Sequence, residues 1–284
     1  MAAGSRHISK ISLKRPVILL NSILTRTLCA LAYYLLTASI CVSASFVVAY
    51  QPASNEIAKD HFSDTTVDHS IGIARDAANT MLYIEHHQYF GDGSHIARYF
   101  SPDLKLKLEK HLSYPALSQH PDIQQYNYLS TQEITVRNAS SGLEVVKTDP
   151  GQKLTFTMEK AADIIMDAGF DSFIRANWST LQVHEPMRLR LAVAGNPRLI
   201  KVILKTLKSD DSGKIISVQP ANWLGRLMIP EITLAYDVDQ RLRLYEGPPN
   251  RSLVSTDTKS VHIGFRLYQH HKQLDTPLSQ WLRE

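Results

Sequence analysis

The sequence predicts a mainly β domain: a curved, half-barrel-like antiparallel sheet packed on one central amphipathic helix, preceded by an N-terminal signal or transmembrane segment. Three observations carry this prediction. Short runs that alternate apolar and polar residues recur from Ile71 to Tyr268, turn chemistry rich in Gly, Asn, Asp and Pro separates them, and one stretch, Asp167–Gln182, has a helical rather than a strand period.

The first 50 residues set the compartment. They hold Arg6, Lys10, Lys14, Arg15 and Arg26 and no acid, a charge of +5 in a chain whose total is +4, so residues 51–284 are near −1. The basic balance therefore sits in the leader, which removes nucleic acid as an expected partner. Leu28–Tyr50 is an apolar run of 23 residues with no charged side chain. With its basic flank and the small residues Val42-Ser43-Ala44-Ser45, it fits a signal peptide cleaved after Ala44. Left uncleaved, it is long enough to cross a hydrocarbon core of about 30 Å, basic end inside. Either way residues 51–284 are expected outside the cytoplasm, periplasmic or anchored to the inner membrane. A mitochondrial presequence fits less well, because the apolar block is too continuous for an amphipathic transit helix. Neither Cys29 nor Cys41 follows a small residue, so no lipobox is formed. Both cysteines lie in the apolar run, which leaves the exported part without disulfides, thiolate ligands or a cysteine nucleophile.

Residues 51–70 are polar and aperiodic and read as a tether, with a single β-rich domain over 71–284. Met81–Phe90 and Ser94–Phe100 flank Gly91-Asp92-Gly93, a hairpin signal. Leu104–Leu112 alternates Leu with Lys and Glu, and Ser113–Asp122, with two prolines, is a loop. Strands follow at Thr131–Asn138, Leu143–Thr148 and Lys153–Glu159. In Asp167–Gln182, Phe170, Phe173, Ile174, Trp178 and Leu181 form one apolar stripe, Asp167 is placed to cap, and Asp171 stands one turn before Arg175. Beyond Pro186, alternation marks Met187–Val193, Leu199–Leu207, Ile232–Tyr236, Arg241–Tyr245 and Val261–Tyr268. Ala221–Met228 fits either state, and Leu278–Arg283 reads as a short terminal helix.

Charge divides the exported part. Residues 51–186 hold 11 basic and 18 acidic side chains, and residues 187–284 hold 15 and 9. The strand period puts Arg188, Arg190, Arg241 and Arg243 on polar faces; if their strands are neighbours they form an anion-facing surface, against the plainer reading of a solvated face. Eleven histidines follow the leader's His7. On a strand, the neighbours His86 and His87 face opposite sides and cannot share one ion. With Asp92-Gly93 as a two-residue turn, His87 faces Arg98, and His86 and His95 lie about 13 Å apart. No metal site and no cofactor is expected. There is no Gly-x-Ser-x-Gly, Walker loop, dinucleotide fingerprint or His-Glu-x-x-His pattern, so motif-bearing enzymes are excluded.

On Asp167-Ala168-Gly169-Phe170-Asp171-Ser172-Phe173-Ile174-Arg175-Ala176-Asn177-Trp178 and Leu244-Tyr245-Glu246-Gly247-Pro248-Pro249-Asn250, the chain resembles uncharacterised exported proteins of bacteria over roughly residues 71–268. That group has no activity to carry over. In architecture alone it is similar to lipoprotein-carrier half-barrels, whose curved sheet wraps an apolar cavity and a helix. The resulting expectation is non-catalytic binding of an apolar or lipid-like ligand at Phe170, Phe173 and Trp178. The alternatives are an interaction module of an envelope assembly, with a lipid or envelope protein as partner, and a hydrolase without a familiar motif.

Overall fold

The structure is a computed structural model that describes residues 67–114 and 119–271. The leader, Leu28–Tyr50 and Leu278–Arg283 lie outside the described residues. Among the described residues, fifteen strands form a single sheet. In chain order they are β1 Val67–Arg75, β2 Met81–Tyr89, β3 His95–Phe100, β4 Leu106–Ser113, β5 Asp122–Asn127, β6 Gln132–Ala139, β7 Gly142–Asp149, β8 Gln152–Met158, β9 Ile164–Met166, β10 Met187–Ala192, β11 Leu199–Asp210, β12 Gly213–Pro220, β13 Ile232–Tyr236, β14 Leu242–Gly247 and β15 Val261–His271. Among the described residues two short helices, Gly169–Ala176 and Trp223–Met228, interrupt them.

The spatial order runs β8 to β1 without a break, crosses from β1 to β15, and descends from β15 to β9. Each half is thus a meander, and the pairing of β1 with β15, Ile71 opposite Arg266 and Gly72 opposite Phe265, joins the first half to the last. All pairs are antiparallel except β9 with β10. So many twisted strands cannot lie flat, and the sheet curls on itself.

The depth of that curl is read from β9. Ile164 and Met166 belong to an apolar cluster with Leu112, Ile123, Ile134, Val136, Leu143, Val145 and Met158 of β4–β8. Ile165, between them, belongs to a second cluster with Phe173, Ile174, Leu189, Leu204, Ile216 and Leu234. All three are 0% exposed. The last strand of the order is therefore wedged inside the first half of the sheet, one face against each wall. Its outer edge is satisfied by the segment before β5: Met166 N–H donates to the Gln119 carbonyl at 2.9 Å, and His120 Nε2 lies 2.9 Å from the Ile164 carbonyl. The opposite end of the order, β8, keeps an exposed edge.

Several expectations change. Val67–Ser70 is the start of β1 rather than tether, and β5, β9 and β12 occupy stretches without a strand signal. Ala221–Met228 resolves into the Trp223–Met228 helix. The apolar stripe predicted a helix to Gln182, but it ends at Ala176, where Asn177 turns its side-chain amide back to the Phe173 carbonyl at 2.8 Å. Asp167 does not cap it. Its backbone is left-handed (φ 42°), its N–H bonds to the Ala192 carbonyl, and its carboxylate is spent on Lys110 Nζ at 2.7 Å and the Ala194 N–H at 3.2 Å. The Asp171–Arg175 pair forms at 2.7 Å.

The hairpin register also differs. Phe90 N–H donates to the Ser94 carbonyl and Gly93 N–H to the Phe90 carbonyl, each at 3.0 Å, so the loop is the three residues Gly91–Gly93, with Gly93 at φ 82°. A left-handed third residue suits glycine. One added loop residue puts Tyr89 opposite His95 and His87 opposite Ala97 instead of Arg98. Because side chains alternate, this slip moves His87 and His95 onto the same face.

Candidate functional site

That face is the inside of the curl. Tracing the register inward from the core gives Ser70, Gly72 and Ala74 on β1, Tyr83, Glu85, His87 and Tyr89 on β2, His95, Ala97 and Tyr99 on β3, Lys110 on β4, and Ile263 and Phe265 on β15. Small residues on β1 and β3 alternate with rings on their neighbours. Gly72 is required where it stands, since a Cβ there would lie 2.5 Å from the Phe265 ring. Opposite this wall the Gly169–Ala176 helix presents Asp171 and Arg175: Tyr236 donates to Asp171 at 3.0 Å, and the Arg175 guanidinium sits 6.0 Å from the Tyr89 ring centre.

Within the wall runs a hydrogen-bonded chain. Glu85 Oε2 lies 3.0 Å from His87 Nε2, and His87 Nδ1 lies 2.9 Å from His95 Nε2. Tyr89 stacks on His95 with ring centres 4.4 Å apart, while Tyr99 and Phe265 meet the His87 ring edge-on at 6.4 and 5.8 Å. A carboxylate accepts, so His87 Nε2 carries hydrogen and donates to Glu85, while His87 Nδ1 and His95 Nε2 share one proton and His95 Nδ1 is the open polar end of the chain. Burial, with His87, Arg175 and Lys110 nearby, holds His95 well below the ordinary histidine range and so neutral. Burial followed by Asp171 pushes the Tyr89 phenol up, and burial followed by Glu85 pushes Tyr99 up. All three rings are nonetheless only half-buried. These inward groups on central strands are therefore not sealed completely from solvent.

The arrangement is poorly suited to acyl transfer. Ser70 stands opposite His87, but both nitrogens of that ring are already engaged, by Glu85 and His95, leaving neither to take a serine proton. Among the described residues no three His, Cys, Asp or Glu side chains are grouped to hold a metal ion.

The residues predicted for the ligand lie on the opposite side, on and just beyond the helix. Phe173 is buried in the second cluster, and Phe170 and Trp178 pack partly buried against it. Trp178, beyond the helix end, meets Tyr236 edge-on at 6.0 Å and has Lys214 Nζ 5.2 Å from its ring centre. The four arginines are not brought together. Arg188 and Arg190 are on β10 and Arg241 and Arg243 at β14, with three strands between. Arg190 grips both oxygens of Asp163 at 2.6 and 2.7 Å and also pairs with Glu159, Arg243 holds Asp237 at 2.8 Å, and Arg241 pairs with Asp239 at 3.3 Å. Arg188 is exposed. Strand order decides which of these charges meet.

Sequence reasoning missed Glu85, His87, Tyr89, His95 and Tyr99 as a group. The available signal was Gly93: read as the left-handed third residue of a three-residue loop, it would have placed His87 and His95 on one face.

No family model matches the sequence, and no curated protein matches it. Among solved structures the chain is similar to a β-barrel-like protein of a domain of unknown function, DUF1849, from Brucella abortus, at 7% identity and a TM-score of 0.40, over 72% of this chain and 98% of that one.

Proposed function

We propose that this chain is an exported, envelope-associated binding protein, non-catalytic, whose curled sheet encloses a hollow that takes a lipid-like ligand with an apolar body and an uncharged, hydroxyl-bearing end. The observation that supports this reading is the half-buried state of Tyr89, His95 and Tyr99 on the inner face of central strands. Phe265, Ile263 and Ala74 offer an apolar seat beside them. His95 Nδ1 offers a polar group at the end of the Glu85–His87–His95 chain, which suits a hydroxyl, able to donate or accept. An anionic head is disfavoured by Glu85, and the two nearby cations, Lys110 and Arg175, are already paired with Asp167 and Asp171.

The test is native mass spectrometry of the purified full chain, with organic extraction of what is released. The expected outcome is a co-purifying mass in the lipid range that falls several-fold in occupancy in His95→Leu and persists in Arg188→Ser. A chain that is empty in both, or equally loaded in both, sinks the reading.

A further inference from the structure

The Trp223–Met228 helix buries none of its own residues. Trp223 is 68% and Leu227 76% exposed, with Leu224 and Met228 exposed beside them. The turn is nonetheless held firmly. Asn222 Oδ1 accepts from Gly225 N–H, and Gly225 has no room for a side chain, since a Cβ would sit 2.7 Å from Asn222 Oδ1. The only charge on the helix is turned away from its tip: Arg226 Nε donates to the Pro220 carbonyl at 2.9 Å and Nη2 to the Ala221 carbonyl at 3.4 Å. A fixed turn thus presents four large apolar side chains outward with its cation folded back.

Its place in the sheet adds a second observation. The antiparallel order sends alternate connections to one end, and the pairing of Arg75 with His262 aligns the two halves. That end carries the connections 76–80, 101–105, 128–131, 150–151, 193–198, 221–231 and 248–260. Leu104, Leu129 and Val193, exposed large apolar residues, lie on three of these besides the helix. The charges there are mixed, with Lys105, Arg198, Arg226, Arg251 and Lys259 against Asp76, Asp103, Glu231 and Asp257. The connections at the other end hold Asp92, Glu159, Asp163, Asp211, Asp237 and Asp239 against Lys160 and Arg241, an acidic balance.

We infer that the 221–231 end of the sheet docks on an anionic lipid bilayer, with Trp223, Leu224, Leu227 and Met228 entering the interfacial region. A protein groove would receive one compact knob. Here the apolar tips are convex and spread over several connections around a rim, which suits a continuous soft plane. Trp beside Leu and Met is the composition that favours the headgroup boundary, and the acidic far end is repelled by anionic lipid while the apolar end is not. This inference does not depend on what the hollow holds.

The experiment uses the full chain in vesicles of phosphatidylcholine with phosphatidylglycerol. In a Cys29→Ser, Cys41→Ser background, an environment-sensitive fluorophore is placed at Leu227→Cys or, on the opposite end, at Val238→Cys. The expected result is that the probe at 227 shifts to the blue, is quenched by nitroxide-labelled acyl chains and is shielded from aqueous iodide, while the probe at 238 stays in water. Adding Trp223→Ser and Leu224→Ser should reduce acyl-chain quenching at 227 several-fold. Iodide access at 227 equal to that at 238 overturns the inference. So does shielding at 227 that appears without vesicles and grows with protein concentration, which would assign the patch to a second copy of the chain.

Discussion

At the residue scale, the histidines divide between the two faces of β2. His87 joins the inner chain with Glu85 and His95, whereas His86 lies on the outer face, buried, stacked on His69 with ring centres 5.2 Å apart and with His69 Nδ1 2.9 Å from its Nε2. Burial, then His69, Arg98 and His87, lowers His86 from the ordinary 6.5 to about 3. A neutral native histidine with a depressed folded value makes the unfolded chain bind more protons between those two values. Its stability contribution is therefore complete above pH 6.5 and is lost as pH falls from 6.5 towards 3. His95 acts in the same direction. The urea midpoint of wild type should consequently fall more steeply between pH 7 and 4.5 than that of His86→Gln, which keeps a hydrogen-bonding side chain without the titration. Parallel curves for the two proteins would contradict the assignment.

At the element scale, β9 is the shortest strand and among the most consequential. Its three residues close both apolar clusters, and burying each side chain contributes about 2 kcal/mol. Ile165→Ala leaves a cavity against Phe173 and Leu204 and should lower stability by about 2–5 kcal/mol. Leu154→Ala, on the exposed edge strand β8, should cost about 0.5 kcal/mol or less. Urea denaturation of the two variants checks the contrast, and comparable losses would mean that β9 is not the wedge described. The elements that escaped the sequence share a cause. β12 is buried on both faces and so shows no alternation, β5 turns Gln125 and Asn127 inward, and β9 is too short to display a period.

At the scale of the whole molecule, the wedge ties together the far ends of two meanders that the β1–β15 pairing joins at their near ends. The first cluster takes Ala192 and Met166 from the second half, and the second takes Ile165 from the strand that lines both. Arg190 with Asp163, and Lys110 with Asp167, add ion pairs between distant parts of the chain. Unfolding is therefore expected to be a single transition. In hydrogen exchange followed by mass spectrometry across a urea series, peptides from 132–158 and from 199–236 should lose protection at the same denaturant concentration. Loss of one set well before the other would show two independent units.

The sequence alone determined that residues 71–268 are β-rich, that residues 51–284 hold no cysteine, which strands have one apolar face, and that Asp171 pairs with Arg175. Those properties follow from composition and from side-chain spacing along one strand or one helical turn, which are local. It did not determine which strands would be neighbours, whether the arginines of β10 and β14 would share a surface, or that Glu85, His87 and His95 would form one chain. Those depend on a single loop residue that sets a register and on a curl that brings the two ends of the strand order together. Strand alternation records the face of each side chain, but it carries no information about what that face will meet.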